Sequence, residues 1–287
     1  AYKYITGEAS ERIDIPADLT DEFETARTEM LEALSDFDDT LLEKLLEDEI
    51  PEVDEIYGHL KTGVREGNIV PVFIGAAEHD YGARRILKAL RHESPDATFT
   101  AARLGLDGQS DTLAQVFKTY HAQHSGKLSL ARVWSGAVTE GMTLNGERVG
   151  SLLSLMGGQH NKIASAEAGD IAALGRMDEI RTGDVLTPSG EAPDGIETWP
   201  EPMIPVYSRS LEPENRQDEV KLSGALQRLN EEDPSVSYEQ NPDTREMVLW
   251  GQGEIHLIIS LEKLKGRYNI GAVSAKPKVP YKETIKK

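Results

Sequence analysis

Several short runs in this 287-residue chain invite a chemical reading. A phosphate cradle needs a glycine-rich turn ending in Gly-Lys-Ser/Thr, so that backbone amides and a lysine meet the phosphates while the hydroxyl holds magnesium. The Gly-Lys pair here, Gly126-Lys127, is followed by Leu128 and lies between strand-like runs, so it cannot serve that way. Asn161-Lys162-Ile163-Ala164 begins like a guanine-reading Asn-Lys-x-Asp but lacks the aspartate. Gly251-Gln252-Gly253 opens like a dinucleotide fingerprint, yet its sixth position is His256 rather than Gly or Ala, which makes it a packing turn. His121 and His124 flank a turn with no carboxylate or cysteine close in sequence, so no metal site is predicted. His256, between Ile255 and Leu257, reads as a hydrogen-bonded structural histidine or a contact at a domain interface. No run supplies a catalytic set.

The elements that would carry these residues follow from periodicity. Around His256 the pattern reads strand (203–208), helix (213–231), two strands separated by Asn241-Pro242-Asp243-Thr244, helix (253–265), strand (268–273). That is the βαββαβ order of a ferredoxin-like unit. Pro234 should end the first helix by pushing Asp233 out of the α region. From Ala114 to Leu186 short strands alternate with turns, among them Asn145-Gly146, the strongest two-residue hairpin signal, so a small closed barrel or sandwich is predicted. Upstream, Thr20 to Glu49 reads as a helix capped by Thr20 and Pro51 to about Glu66 as a second. Ile69 to Ile74 reads as a buried apolar strand, Gly75 to Gly82 as a loop and Ala83 to Leu90 as a helix. Residues 1–19 and 95–113 read as connecting segments, and Trp199-Pro200-Glu201-Pro202 as an extended connector that leaves the barrel and the βαββαβ unit as separate bodies.

Composition narrows the classes. No apolar run reaches membrane-spanning length, so no membrane partner is expected. The absence of cysteine excludes disulfides and thiolate metal sites and fits a cytoplasmic protein. The first residue is Ala1, which suits a piece of a longer chain. A net charge of −19 argues against nucleic acid, but the acidity is local: residues 1–60 hold 19 acidic and 4 basic side chains, a balance of −15, and the rest hold 31 and 27, a balance of −4. The later domains could therefore approach RNA, while the acidic helices suit a basic protein.

Three motifs carry a family resemblance: Glu231-Glu232-Asp233-Pro234, then Gly251-x-Gly253-Glu254-Ile255-His256-Leu257, then Lys276-Pro277-x-Val279-x-Tyr281-x-Glu283-Thr284. Together they resemble the third domain of bacterial elongation factor G, a ribosomal translocase, running into its fourth. Phe117-Lys118, Gly126-Lys127-Leu128, Arg132 to Gly136, Gly169-Asp170-Ile171 and Thr182-Gly183-Asp184 resemble the second, barrel domain of translational GTPases, which faces the small ribosomal subunit. Asn145 to Ile163 is shorter than usual there, so a divergent elongation-factor-G-like paralogue fits as well as the main translocase. Residues 20–90 resemble the end of the family's nucleotide domain with its helical insert.

The resemblance implies a multi-domain α+β chain: 1–95 the end of the nucleotide domain, 96–199 the barrel, 200–275 the ferredoxin-like domain III, 276–287 the start of domain IV. It implies GTP with Mg²⁺ as cofactor of the parent protein and none for this part. It implies a remnant guanine contact at Gly75, Ala76 and Ala77, where the family reads Gly-Ser-Ala. Lys118, Lys127, Arg132 and His256 become candidates for ribosome contact, with small-subunit rRNA and ribosomal proteins as partners, the stalk protein on the acidic helices 20–55, and a monomeric state. Two other readings stay open at this point: part of a release-factor or ribosomal-protection GTPase, or a free-standing ribosome-binding module.

Overall fold

The computed structural model describes residues 1–287 except 7–9, 48, 107–110, 123–124, 195, 197–199, 282 and 284–287. The chain divides into two compact units, Ala1–Asp96 and Ala97–Lys287. His124, Trp199 and Thr284 of the motifs above lie outside the described residues.

In the first unit, β1 (Tyr2–Lys3) pairs antiparallel with β2 (Glu11–Arg12), so the segment expected to be a connector holds a short ladder. The Arg85 guanidinium sits 3.3 Å from the Tyr2 ring centroid and fastens that ladder to the final helix of the unit. The helix expected over 20–49 is two, α1 (Thr20–Ser35) and α2 (Asp39–Leu46). Asp38 makes the break: its extended backbone and its carboxylate, which accepts from the Thr40 and Leu41 N–H groups, cap α2 afresh. The third helix, α3 (Val53–Glu66), closes on Gly67 at φ 82°, a left-handed cap. Leu31, Leu34, Leu41 and Ile56 form the core of this unit, with Leu45, Leu60 and Ile69 against it.

The apolar run after α3 departs most from expectation. Ile69 packs into the core, but Val70, Val72 and Ile74 are 83%, 82% and 88% exposed and form no strand. A strand is stabilised only by a neighbour on its edge, and among the described residues of this unit none lies beside it. The unit ends with α4 (Ala83–His92).

The second unit opens with α5 (Ala97–Arg103) inside the predicted linker, where Ala101, Leu106 and Leu113 form a small apolar cluster. The region expected to be a barrel, and called so below, follows as β3 (Leu113–Ala122), β4 (Gly126–Ser135), β5 (Ala137–Thr139), β6 (Thr143–Leu144), β7 (Glu147–Arg148), β8 (Ser151–Met156), β9 (Gln159–Lys162), β10 (Ser165–Glu167), β11 (Ile171–Gly175) and β12 (Val185–Leu186). Six of these make one antiparallel sheet in the order β12-β3-β4-β11-β8-β9, while β10 pairs with β5 and β6 with β7. Asn145 and Gly146 both take positive φ, 49° and 80°, the geometry that a two-residue hairpin demands. Side chains from the large sheet and both small pairs, including Val116, Val133, Val138, Leu144, Ala166 and Leu174, share one core.

The last body is β13 (Tyr207–Pro213), α6 (Glu219–Glu232), β14 (Ser237–Gln240), β15 (Met247–Gly251), α7 (Glu254–Tyr268) and β16 (Ala272–Ala275), with sheet order β14-β15-β13-β16, all antiparallel. The element order is the expected one, but the first strand lies later than predicted, because its ladder with β15 runs from Tyr207–Gly251 to Leu211–Met247. A 3₁₀ turn at Arg216–Asp218 delays α6. Leu211, Leu222, Leu226, Leu229, Leu249, Leu257 and Leu264 fill a core of its own.

Candidate functional site

The residues that could act on other molecules concentrate where the β3–β4 hairpin meets the C-terminal end of α6. A bulge in β3 at Phe117, between the Val116–Ala131 and Lys118–Leu130 pairs, shifts the strand by one residue and aims Lys118 outward. Its Nζ donates to the Glu232 carbonyl at 2.7 Å. Three positions on, the His121 backbone N–H donates to Glu232 Oε1 at 2.8 Å, and its Nε2 lies 2.8 Å from Glu231 Oε2. Lys127, only 8% exposed, donates to the Asp178 carbonyl at 2.5 Å and stands 3.5 Å from Glu231 Oε2. From α7, Arg267 reaches both Glu232 oxygens, at 3.1 and 2.8 Å, while its guanidinium lies 5.5 Å from the Tyr120 ring centroid.

Glu231, Glu232 and Asp233 close a helix whose last turn contains no basic residue. Carboxylates at a helix C-terminus oppose the dipole, so these need cations from elsewhere. That mismatch is the signal in the sequence that could have located the junction. His121, which has no carboxylate close in sequence, has Glu231 beside it because the fold brings together residues 110 apart. Burial pushes the Glu231 carboxyl up, but the His121 hydrogen bond, the Lys127 charge and Gln227 outweigh it and hold it below the usual range. Beside the junction opens a cleft of about 1000 Å³, lined among others by Tyr120, His121, Gly158, Arg228 and Tyr268.

Asp233 turns the other way. Pro234 follows it, its backbone is extended, and its carboxylate accepts from the Ser235 N–H and hydroxyl and faces His256 Nε2 at 3.1 Å. His256 Nδ1 accepts the Gln252 N–H at 3.1 Å, which leaves Nε2 as the protonated nitrogen that donates to Asp233. Burial raises the Asp233 carboxyl, and the Ser235 and His256 hydrogen bonds more than reverse it, so it too lies below its ordinary value. Gly251 packs tightly under α7: a Cβ there would come 2.7 Å from Leu257 Cδ2, so that buried side chain would have to shift.

The remaining predicted positions lie apart. Arg132 donates to the Gly169 carbonyl within the barrel. Thus the four candidates for ribosome contact, Lys118, Lys127, Arg132 and His256, each bond to groups of the chain itself, which for His256 is the hydrogen-bonded structural role that the sequence suggests. Gly75, Ala76 and Ala77 sit in the first unit, where Ala76 and Tyr81 exchange backbone hydrogen bonds of 3.0 and 3.1 Å. Gly75 is needed there, since a Cβ would lie 2.6 Å from the Tyr81 carbonyl oxygen. Among the described residues no group of three or more His, Cys, Asp or Glu could hold a metal ion. No helix among them is long and apolar enough to cross a membrane.

Residues 111–189 match the family described as elongation factor G domain 2, and residues 200–276 match elongation factor G, domain III. The chain therefore carries two consecutive domains of a translation elongation factor. It is 48% identical over its whole length to an elongation factor G-like protein of Synechocystis sp. and 33% identical, over 98% of its length, to elongation factor G of Petrotoga mobilis. A crystal structure of a Thermus thermophilus protein covers the whole chain at 32% identity and a TM-score of 0.80. The chain spans 43% of the length of each of these three. It belongs to the elongation factor G-like family.

Proposed function

We propose that this chain is the coupling and docking section of a ribosomal translocation GTPase. What supports the reading is the succession of two matched elongation factor G domains in a chain 48% identical throughout to an elongation factor G-like protein. On this reading residues 1–95 are the end of the nucleotide domain, 96–199 the ribosome-facing barrel, 200–275 a ferredoxin-like domain III and 276–287 the start of domain IV. The parent hydrolyses GTP with Mg²⁺ and acts in the cytoplasm as a monomer on small-subunit rRNA and ribosomal proteins. The acidic helices over 20–55 meet the stalk protein. Lys118, Lys127, Arg132 and His256 serve ribosome contact by holding the docking faces in shape.

The residues present do not fit a whole GTP. The Ala76 N–H is already bonded to Tyr81, which leaves exposed Ala77 as the loop edge that could meet a base, and the sequence has no phosphate-cradling Gly-Lys-Ser/Thr. Nucleotide chemistry therefore belongs to the parent, and no step of it is assigned to this chain.

Two measurements test the reading. A full-length protein containing this section should turn over GTP faster on addition of ribosomes, and the absence of stimulation would refute it. The isolated chain should give no calorimetric heat with GTP and Mg²⁺ beyond dilution. One or two backbone contacts supply about 1–2 kcal/mol, whereas micromolar affinity needs about 8 kcal/mol. A micromolar Kd lost on changing Gly75 to Glu78 would show a working nucleotide site.

A further inference from the structure

No apolar cluster among the described residues contains side chains from both the barrel and the βαββαβ body; each core closes on itself. The packing between them at the α6 end is carried by the charged and polar groups already described. An interface without an apolar core lacks the non-directional term that makes domain contacts permanent, so its persistence depends on charge and hydrogen-bond geometry. The segment before β13 belongs to the βαββαβ body: the Met203 carbonyl accepts from Gln252 Nε2 and the Val206 N–H donates to the Gly251 carbonyl, while the side chains of Met203, Ile204 and Val206 are 68%, 81% and 74% exposed.

We propose that Glu231 and Glu232 form a two-stage latch that fixes the βαββαβ body on the barrel and releases it as a rigid whole. Glu232 is the inner stage. Its side chain is 5% exposed and every contact crosses or braces the junction: both oxygens to Arg267, Oε1 to the His121 N–H, and its carbonyl to Lys118. Bulk salt reaches such a group poorly. Exchange for glutamine keeps one acceptor oxygen for the His121 N–H but turns the other into an NH2 donor and removes the charge, so the Arg267 guanidinium loses its ion pair and the closed arrangement is weakened. Glu231 is the outer stage. It is 23% exposed, faces the cleft, and holds His121 and Lys127, so ions in solution compete for it directly. Neighbouring charges at the junction are Asp178 and Glu179 on the barrel side and Arg228 on α6. The latch rests on geometry alone and stands whether or not the parent acts on ribosomes.

The chain has no cysteine, so a labelled pair is straightforward to install. Met156→Cys on the barrel and Val220→Cys on α6, 75% and 84% exposed, would carry nitroxides for pulsed dipolar distance measurement. The unsubstituted labelled pair should give one narrow distance distribution at low salt that broadens towards that of Glu231→Gln at 0.5 M (about three times the physiological ionic strength). Glu231→Gln should already be broadened at low salt and change little as salt is added, whereas Glu232→Gln should be broader still at all salt concentrations. If Glu232→Gln fails to fold by circular dichroism, Arg267→Met decides, since it removes the same ion pair from a 39%-exposed position. Narrow, superimposable distributions in folded Glu231→Gln and in folded Glu232→Gln or Arg267→Met would overturn the latch.

Discussion

Replacing Leu249 by alanine tests whether the two bodies of the second unit are energetically separate. Leu249 is fully buried on β15, flanked by Arg209 of β13 and Tyr238 of β14, and belongs to the core of the βαββαβ body alone. Truncating a buried leucine removes its transfer free energy and leaves a partly collapsed cavity, about 3 kcal/mol within a range of roughly 2–5. In a body of about 75 residues each kcal/mol lowers Tm by roughly 4–8 °C. The expected fall is therefore about 12–24 °C for that body, while the barrel, with Leu174 at 1% exposure in its own cluster, keeps its transition. Hydrogen exchange read by mass spectrometry gives a sharper view. Peptides from 207–275 should lose about two decades of protection, and peptides from 126–175 none. Leu174→Ala should show the reverse pattern. Equal loss of protection across both bodies in either variant would refute the argument, because it would mean that one cooperative core spans the junction.

Three further outcomes are expected. Asp38→Ala should lower stability of the first unit by about 1 kcal/mol through loss of the α2 cap, whereas Asp38→Asn should keep the cap; thermal melts of the two variants check this. Gly251→Ala should destabilise the βαββαβ body by roughly 1–3 kcal/mol, since the new methyl overlaps Leu257; the same exchange experiment reads it. Acidification should loosen the α6 end: Glu231 and Asp233 both have carboxyls held below their ordinary values, so their contribution is present above the ordinary carboxylate range and is lost as pH falls through the lower folded values. Urea unfolding between pH 6 and pH 3 should lose part of this slope in the Glu231→Gln variant.

Local patterns made much of the βαββαβ body legible. Leucines at helical spacing, a proline after the first helix and a glycine crowded by Leu257 each act within a few residues, and the element order appears in the structure as written in the chain. Boundaries moved wherever a partner strand decided them, as when β13 starts at Tyr207 to meet Gly251. The break at Asp38 was readable in principle, since Asp-Asp-Thr offers a fresh cap, but the apolar periodicity continues across it. Ile69 to Ile74 shows the opposite failure. Its composition suits a buried strand, but composition says nothing about whether a neighbouring edge is at hand.

The junction was illegible for a different reason. Lys118, Lys127 and Arg132 became candidates for ribosome contact through the resemblance of the runs that carry them, and no acid stands close to them in sequence to announce a partner within the chain. Pairing came from α6, more than a hundred positions away for Lys118 and Lys127, and from a turn carbonyl at Gly169 for Arg132. The acids carried the complementary clue. Three consecutive carboxylates at the negative end of a helix raise its energy unless cations or positive dipoles are supplied, and a proline immediately after them prevents the helix from simply running on. Such a segment is more stable docked than free, and its docking partner must present N–H donors and positive charge rather than apolar surface. A chain that wanted only rigidity at this joint could bury leucines there at lower electrostatic cost. Retaining Glu231 and Glu232 makes the contact strong when every partner is in register and weak when one is displaced, which is the property that the proposed latch requires.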